Sequence, residues 1–151
     1  MTQENNEEFA LVTDVGSDGN LIVEQFLGFA NRDVNDEEFE QVLTGQPVDG
    51  ITAYQPGTYY KISADPTSID YNEPFDIHIH FQAGPTVIDG INGATNESLL
   101  KILIHRTKLL DAQFPSEQNK QAIVSLESAL EAFNARTAER QERGAEGQHI
   151  E

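Results

Sequence analysis

The sequence predicts an α+β protein: a small β-rich N-terminal region, then a C-terminal antiparallel helical hairpin, assembled as an oligomer. Three observations carry this. Residues 75–81, FDIHIHF, alternate with period two, which puts Phe75, Ile77, Ile79 and Phe81 on one face and Asp76, His78 and His80 on the other. From Thr95 the period becomes helical, with Leu99, Leu100, Leu103, Ile104 and Leu110 on one side. After a break at Phe114-Pro115-Ser116, the helical pattern resumes with Ala122, Ile123, Leu126, Leu130 and Phe133. A break this short makes the two helices antiparallel neighbours.

Taken in order, residues 1–8 are polar and expected to form a disordered tail. Two apolar runs, Phe9 to Val15 and Leu21 to Phe26, flank the turn cluster Gly16-Ser17-Asp18-Gly19-Asn20 and read as a hairpin. Residues 33–44 read as a short helix capped by Asn35, with Phe39, Val42 and Leu43 sharing a face. Gly45, Pro47 and Gly50 end it. Residues 51–63 read as a strand interrupted by a Pro-Gly turn. The FDIHIHF strand follows Pro74. Thr95 caps the first long helix, with Glu97 at its positive end, and Ser116 caps the second, with Gly144 as its stop. The expected division is a β-rich region over 9–93, the hairpin over 94–147 and a tail over 148–151. The crowded apolar positions Leu99, Leu100, Ile102, Leu103 and Ile104 exceed what one small sheet can cover, which predicts self-association through the hairpin.

Composition narrows the function. A chain of 151 residues suits one domain, or a small domain with an appendage. The absence of cysteine excludes a disulfide scaffold, a thiolate zinc site and a cysteine nucleophile. There is no apolar run of membrane-spanning length, and MTQENNEEFA is the opposite of a secretory leader, so a cytoplasmic location with no membrane partner is expected. The net charge of −17 is uneven: within the first 100 residues Arg32 and Lys61 face 18 acidic residues. That region would repel nucleic acid polymers and anionic lipid, so an anionic ligand is expected at the C-terminal third.

Three constellations carry possible chemistry. His78 and His80 form an H-x-H pair on one strand face, the arrangement of a metal-dependent β-barrel enzyme, although no third ligand is signalled. Gly84, Gly90 and Gly93 precede a capped helix. Local residues fit equally a plain β-to-α connection and an anion site at the helix start. Arg136, Arg140 and Arg143 share one helical face, with Glu139, Glu142 and Glu146 interleaved. Spacing alone favours a solvated face with intrahelical ion pairs. Against that, these are three of only nine basic residues, placed where the chain returns towards the level of Thr95. No nucleophile–base constellation appears, so the expectation is a binding protein without cofactor or metal, rather than an enzyme.

At these residues the chain resembles a family. Phe81-Gln82-Ala83-Gly84-Pro85, then Gly90-Ile91-Asn92-Gly93-Ala94-Thr95-Asn96-Glu97, then the arginine-rich run from Arg136 to Gly147, are similar to the helical-hairpin module of phage anti-Thoeris and anti-CBASS proteins. The resemblance implies a sponge in the infected bacterial host. It would bind a cyclic ADP-ribose isomer, or a cyclic oligonucleotide, and sequester it intact from the immune effector. It implies homo-oligomers, dimers built into hexamers, with pockets between protomers. The ligand-binding residues it implies are Phe81, Gln82, Gly84, Pro85, Asn92, Thr95, Asn96, Arg136, Thr137, Arg140 and Arg143. Phe81 would stack on adenine, the arginines would bind pyrophosphate, and Asn92, Thr95 and Asn96 would bond ribose or base edges. No family motif is matched in the longer, acidic N-terminal 80 residues. A phage assembly factor that uses the hairpin only to oligomerise is a further reading.

Overall fold

The computed structural model describes residues 9–143. The tails expected at 1–8 and 148–151 and the Gly144 stop lie outside the described residues. The chain divides into two units, Met1–His80 and Phe81–Glu151. The segment from Phe81 to Gly93 therefore goes with the helices rather than with the sheet.

The first unit is a five-stranded sheet in the order β1-β2-β4-β5, with β3 paired to β2 off that path, and every pairing is antiparallel. β1 (Phe9–Asp18) and β2 (Leu21–Ala30) run on either side of a turn at Gly19-Asn20, so three of the five residues of the expected turn cluster are strand. β3 (Ile51–Ala53) and β4 (Tyr59–Ala64) are the two halves of the interrupted strand, and both lie beside β2. β5 (Asp76–His80) pairs with β4. Between β2 and β3 sits α1 (Asp36–Leu43). Asn35 caps it through a reciprocal box in which its side chain accepts from the Glu38 N–H at 2.8 Å. Arg32 holds Glu38 with two hydrogen bonds, at 3.0 and 2.6 Å, and donates to the Asp49 carbonyl at 2.8 Å. That arrangement pins both flanks of the helix to one guanidinium.

The core of this unit is small. Leu11, Leu27 and Val42 are buried together, with Val34, Phe39, Leu43, Val48 and Ile51 packed against them. The register of β1 on β2 slips between Leu11 and Val12, opposite Leu27-Gly28. The bulge sends Leu27 into the core and brings the Phe26 and Phe29 rings within 5.9 Å of each other. Gly28 is required there: its φ is +155°, and a Cβ would meet the Thr52 carbonyl oxygen and lie 2.9 Å from Ala53 Cα.

The second unit contains one helical turn, α2 (Thr86–Asp89), then α3 (Asn96–Gln113) and α4 (Glu117–Glu142). α3 and α4 form the expected hairpin. Thr95 and Ser116 cap them through their hydroxyls, which accept from the N–H groups of Ser98 and Asn119 at 3.1 and 3.0 Å. Among the described residues, no helix is long and apolar enough to cross a membrane.

Candidate functional site

The segment between Phe81 and Thr95 is built around two side-chain amides. The Gln82 amide nitrogen donates to the carbonyls of Gly84 and Gly90, at 3.1 and 2.8 Å, and its oxygen accepts from the Asn92 N–H at 3.0 Å. Asn92 answers across the same neck: its oxygen accepts from the Ala83 N–H and its nitrogen donates to the Ala83 carbonyl, both at 2.8 Å. The Gln82 N–H also donates to the Ala94 carbonyl at 2.9 Å, beside a parallel bridge between Phe81 and Ala94. These bonds close residues 83–91 into a loop with its ends side by side. Gly93 lies so near the Phe81 carbonyl that any side chain would collide with the backbone.

α2 caps the loop. Pro85 is buried at its N-terminus, and Gly90, with φ +73°, ends it by donating its N–H to the Thr86 carbonyl at 2.9 Å. Gly84, with φ +76°, faces the Asp89 carboxylate so closely that a Cβ would overlap it. Val87, Ile88 and Ile91 are left exposed on the outside of the loop.

Opposite ends of the hairpin are related by its register. Lys108 pairs with Glu127 at 2.9 Å and Lys120 with Asp111 at 3.3 Å. With equal rise on both helices, these pairs place α4 residues 136–140 level with Thr95. Arg136, Thr137 and Arg140 therefore return to the level of the α3 start. Arg143 lies beyond them, at the C-terminal cap of α4. The chemistry of Arg140 is unusual. Its Nε is buried and has no hydrogen-bond partner among the described residues. An unsatisfied buried guanidinium N–H is costly, and an anion that accepts from it removes the cost.

The residues implied by the resemblance thus divide by what they do here. Gln82 and Asn92 hold the loop shut. Thr95 spends its hydroxyl on the α3 cap, and the Ser98 hydroxyl accepts from the Thr95 N–H at 2.9 Å. Pro85 is packed inside. Phe81 is half-buried, Asn96 and Arg136 are exposed, and Arg140 offers the open donor.

A second feature went unread in the sequence. One face of α3 carries a groove of about 630 Å³ lined by Lys101, Ile102, His105, Arg106, Leu109, Leu110 and Gln113. A signal for it existed: Arg106 has no acidic residue three or four positions away, so no intrahelical partner neutralises it.

The H-x-H pair lies in the first unit. His78 Nε2 is 3.0 Å from Asp76 Oδ2, and its Nδ1 is 2.5 Å from the Tyr59 hydroxyl. Both ring nitrogens are engaged, and the described residues contain no group of three or more histidine, cysteine, aspartate or glutamate side chains placed to hold a metal ion. Among the described residues the sheet ends at β1 and β5, with β3 as a side branch on β2, and does not close into a barrel.

Among proteins of known name, the chain is similar to Thoeris anti-defense 1 of Bacillus phage SBSphiJ7, with 43% identity over 72 residues. The aligned part is 47% of this chain and 51% of the phage protein, so the chain spans about half the length of the curated relative it matches. The resemblance to the phage anti-Thoeris family is shown over that half. No family model matches the chain.

Proposed function

We propose that this protein blocks Thoeris immunity by binding a cyclic ADP-ribose isomer and holding it intact. The proposal starts from the similarity to a Thoeris anti-defense protein over about half of the chain. The observation that carries it is Arg140, whose buried Nε, level with the start of α3, has no hydrogen-bond partner among the described residues. A pyrophosphate supplies the missing acceptor, and Arg136 on the same helical face supplies a second guanidinium. Phe81 offers an apolar surface for adenine at the base of the clamped loop. The exposed apolar faces of the hairpin fit a homo-oligomer, dimeric or hexameric, with pockets between protomers.

A sponge competes with a receptor, so it needs tight binding. Nanomolar affinity corresponds to about −12 kcal/mol, more than a few solvated arginines provide. The same chemistry admits a cyclic oligonucleotide of anti-CBASS type. A metal-enzyme reading gains nothing from the His78 and His80 geometry.

The test is calorimetry of the purified protein against a panel of cyclic ADP-ribose isomers and cyclic di- and trinucleotides. Bound ligand is then released by heat and identified by chromatography. The expected result is saturable binding of a cyclic ADP-ribose isomer that is recovered unchanged. Hydrolysed ligand, or no binding to any member of the panel, overturns the sponge. Arg140→Ala is expected to weaken binding by about 2 kcal/mol, roughly thirtyfold, because it removes a charged hydrogen-bond donor. Unaltered affinity removes Arg140 from the site.

A further inference from the structure

By strand alternation, the face of the sheet opposite Leu27 carries a stripe of rings. Tyr59 is at its centre, with ring centroids 5.0 Å from both Phe26 and Tyr54, 5.6 Å from His78 and 4.0 Å from His80. Within that stripe the polar atoms form a line. The Tyr59 hydroxyl is 2.5 Å from His78 Nδ1, and His78 Nε2 is 3.0 Å from Asp76 Oδ2. A carboxylate only accepts, so Nε2 carries the imidazole proton and donates it to Asp76. Nδ1 then holds the lone pair and accepts from the Tyr59 O–H. The result is a carboxylate–imidazole–phenol relay that the proposed sponge does not use.

We infer that Tyr59 is a primed nucleophile, able to accept an acyl or sulfonyl group from a neutral electrophile, with His78 as its proton acceptor and Asp76 positioning the imidazole. In the step, the Tyr59 oxygen bonds to the electrophilic carbon or sulfur as its O–H bond breaks. The proton passes to His78 Nδ1, and the leaving group departs with the electron pair of its former bond. Asp76 then faces an imidazolium, which returns its proton to solvent.

Two further observations agree. Burial pushes the Tyr59 phenol up from its ordinary value, and the neighbouring Tyr54 and Asp76 add to the rise. A pre-formed phenolate is therefore not the nucleophile, and a base within reach is what the reaction needs. The surroundings also bear on the donor: the first 100 residues are strongly acidic, and Lys61, whose Nζ lies 5.3 Å from the Phe26 ring centre in the same stripe, is 4.0 Å from the Glu24 carboxylate, so the stripe gains no net positive charge to attract an anionic electrophile.

The test uses the full chain and a neutral aryl sulfonyl fluoride, with labelled tyrosines assigned by peptide mass spectrometry. The chain has four tyrosines, which compete internally. Tyr59 is expected to be labelled at least about tenfold faster than Tyr71, which is more exposed but has no such relay. His78→Phe keeps a ring and removes the base. It should slow labelling of Tyr59 by at least about tenfold and leave Tyr71 unchanged. Asp76→Asn should slow Tyr59 less than that, and Asp76→Glu should restore part of the rate. Labelling of Tyr71 or Tyr54 as fast as Tyr59, or an unchanged Tyr59 rate in His78→Phe, overturns the inference. If His78→Phe does not fold, the ranking of the four tyrosines in the unaltered protein decides it.

Discussion

Replacing Gly93 with alanine tests the loop architecture at its tightest point. A Cβ there would sit 2.6 Å from the Phe81 carbonyl oxygen and 2.7 Å from the Gln82 nitrogen. Both are backbone atoms, so no side chain can swing aside. The Phe81 carbonyl carbon is nearer still, so restoring ordinary contact, about 3.4 Å, means moving the Gly93-Ala94 backbone outward by about 1 Å. That strains the Gln82 N–H to Ala94 carbonyl bond, now 2.9 Å, to the limit of a hydrogen bond. Losing it costs about 0.5–1.5 kcal/mol, and overpacking adds about 1–3 kcal/mol, so Gly93→Ala should lose about 2–4 kcal/mol. Urea denaturation measures this. Gly90→Ala is the comparison: nothing lies within 4 Å of its Cβ, and only its φ of +73° resists substitution. With ψ at 178° that backbone is one only glycine ordinarily adopts, and the substitution should lose about 1–3 kcal/mol. The steric argument fails if Gly93→Ala is within about 0.5 kcal/mol of the unaltered protein, or loses less than Gly90→Ala.

Two more outcomes follow from the structure. Leu27 is fully buried at the bulge, and Leu27→Ala should cost about 2–5 kcal/mol in the same assay. The Asp111 carboxyl is held below the ordinary carboxylate value by the Ser116 N–H, with Lys120 adding to it. Its folded value is below its unfolded one, so its contribution is full above the ordinary carboxylate value. The contribution is lost as pH falls through the lower folded value. Asp111→Asn should therefore flatten the acid limb of a stability-versus-pH curve. An unchanged limb would remove Asp111 from the linkage.

What the sequence disclosed was local. Asn35, Thr95 and Ser116 cap helices because each hydroxyl or amide reaches an N–H three residues on, a fact written within four letters. The alternation of FDIHIHF likewise needs no partner to be read. The hidden part is non-local. Gln82 and Asn92 were ligand contacts only as the family resemblance implied. Their clamp depends on residues eight to ten positions apart meeting across a neck. Gly28 lies beyond the strand expected at Leu21 to Phe26, and the need for glycine there comes only from Thr52 packed against it. The Asp76–His78–Tyr59 line was half legible: the i, i+2 spacing of Asp76 and His78 is visible, but Tyr59 arrives only through the pairing of β4 with β5. Arg140 could be placed on a helix face, yet its unsatisfied nitrogen is a property of packing alone.

The hairpin raises the question of what stabilises it. α3 and α4 together span 44 residues, and of these only Ile104 is buried. Ile102, Leu103, Leu109 and Val124 keep 62, 47, 56 and 61% of their surface exposed, and Phe114 at the tip keeps 72%. Burying the half or so of each of these four side chains that is still in water is worth roughly 3–7 kcal/mol. That is a large fraction of the stability of a typical domain, so leaving them in water forfeits what a hairpin needs to stay closed. A second copy of the same chain would cover these faces without any new sequence, and an isologous contact would cover both copies at once. The apparent stability of the hairpin should then rise with protein concentration. Light scattering should find an assembly larger than the single chain, and Leu103→Glu should return it to monomer and lower its melting temperature. A monomer at high concentration, with a concentration-independent melting temperature, would mean that the two-helix seam suffices, and the assembly argument would fall.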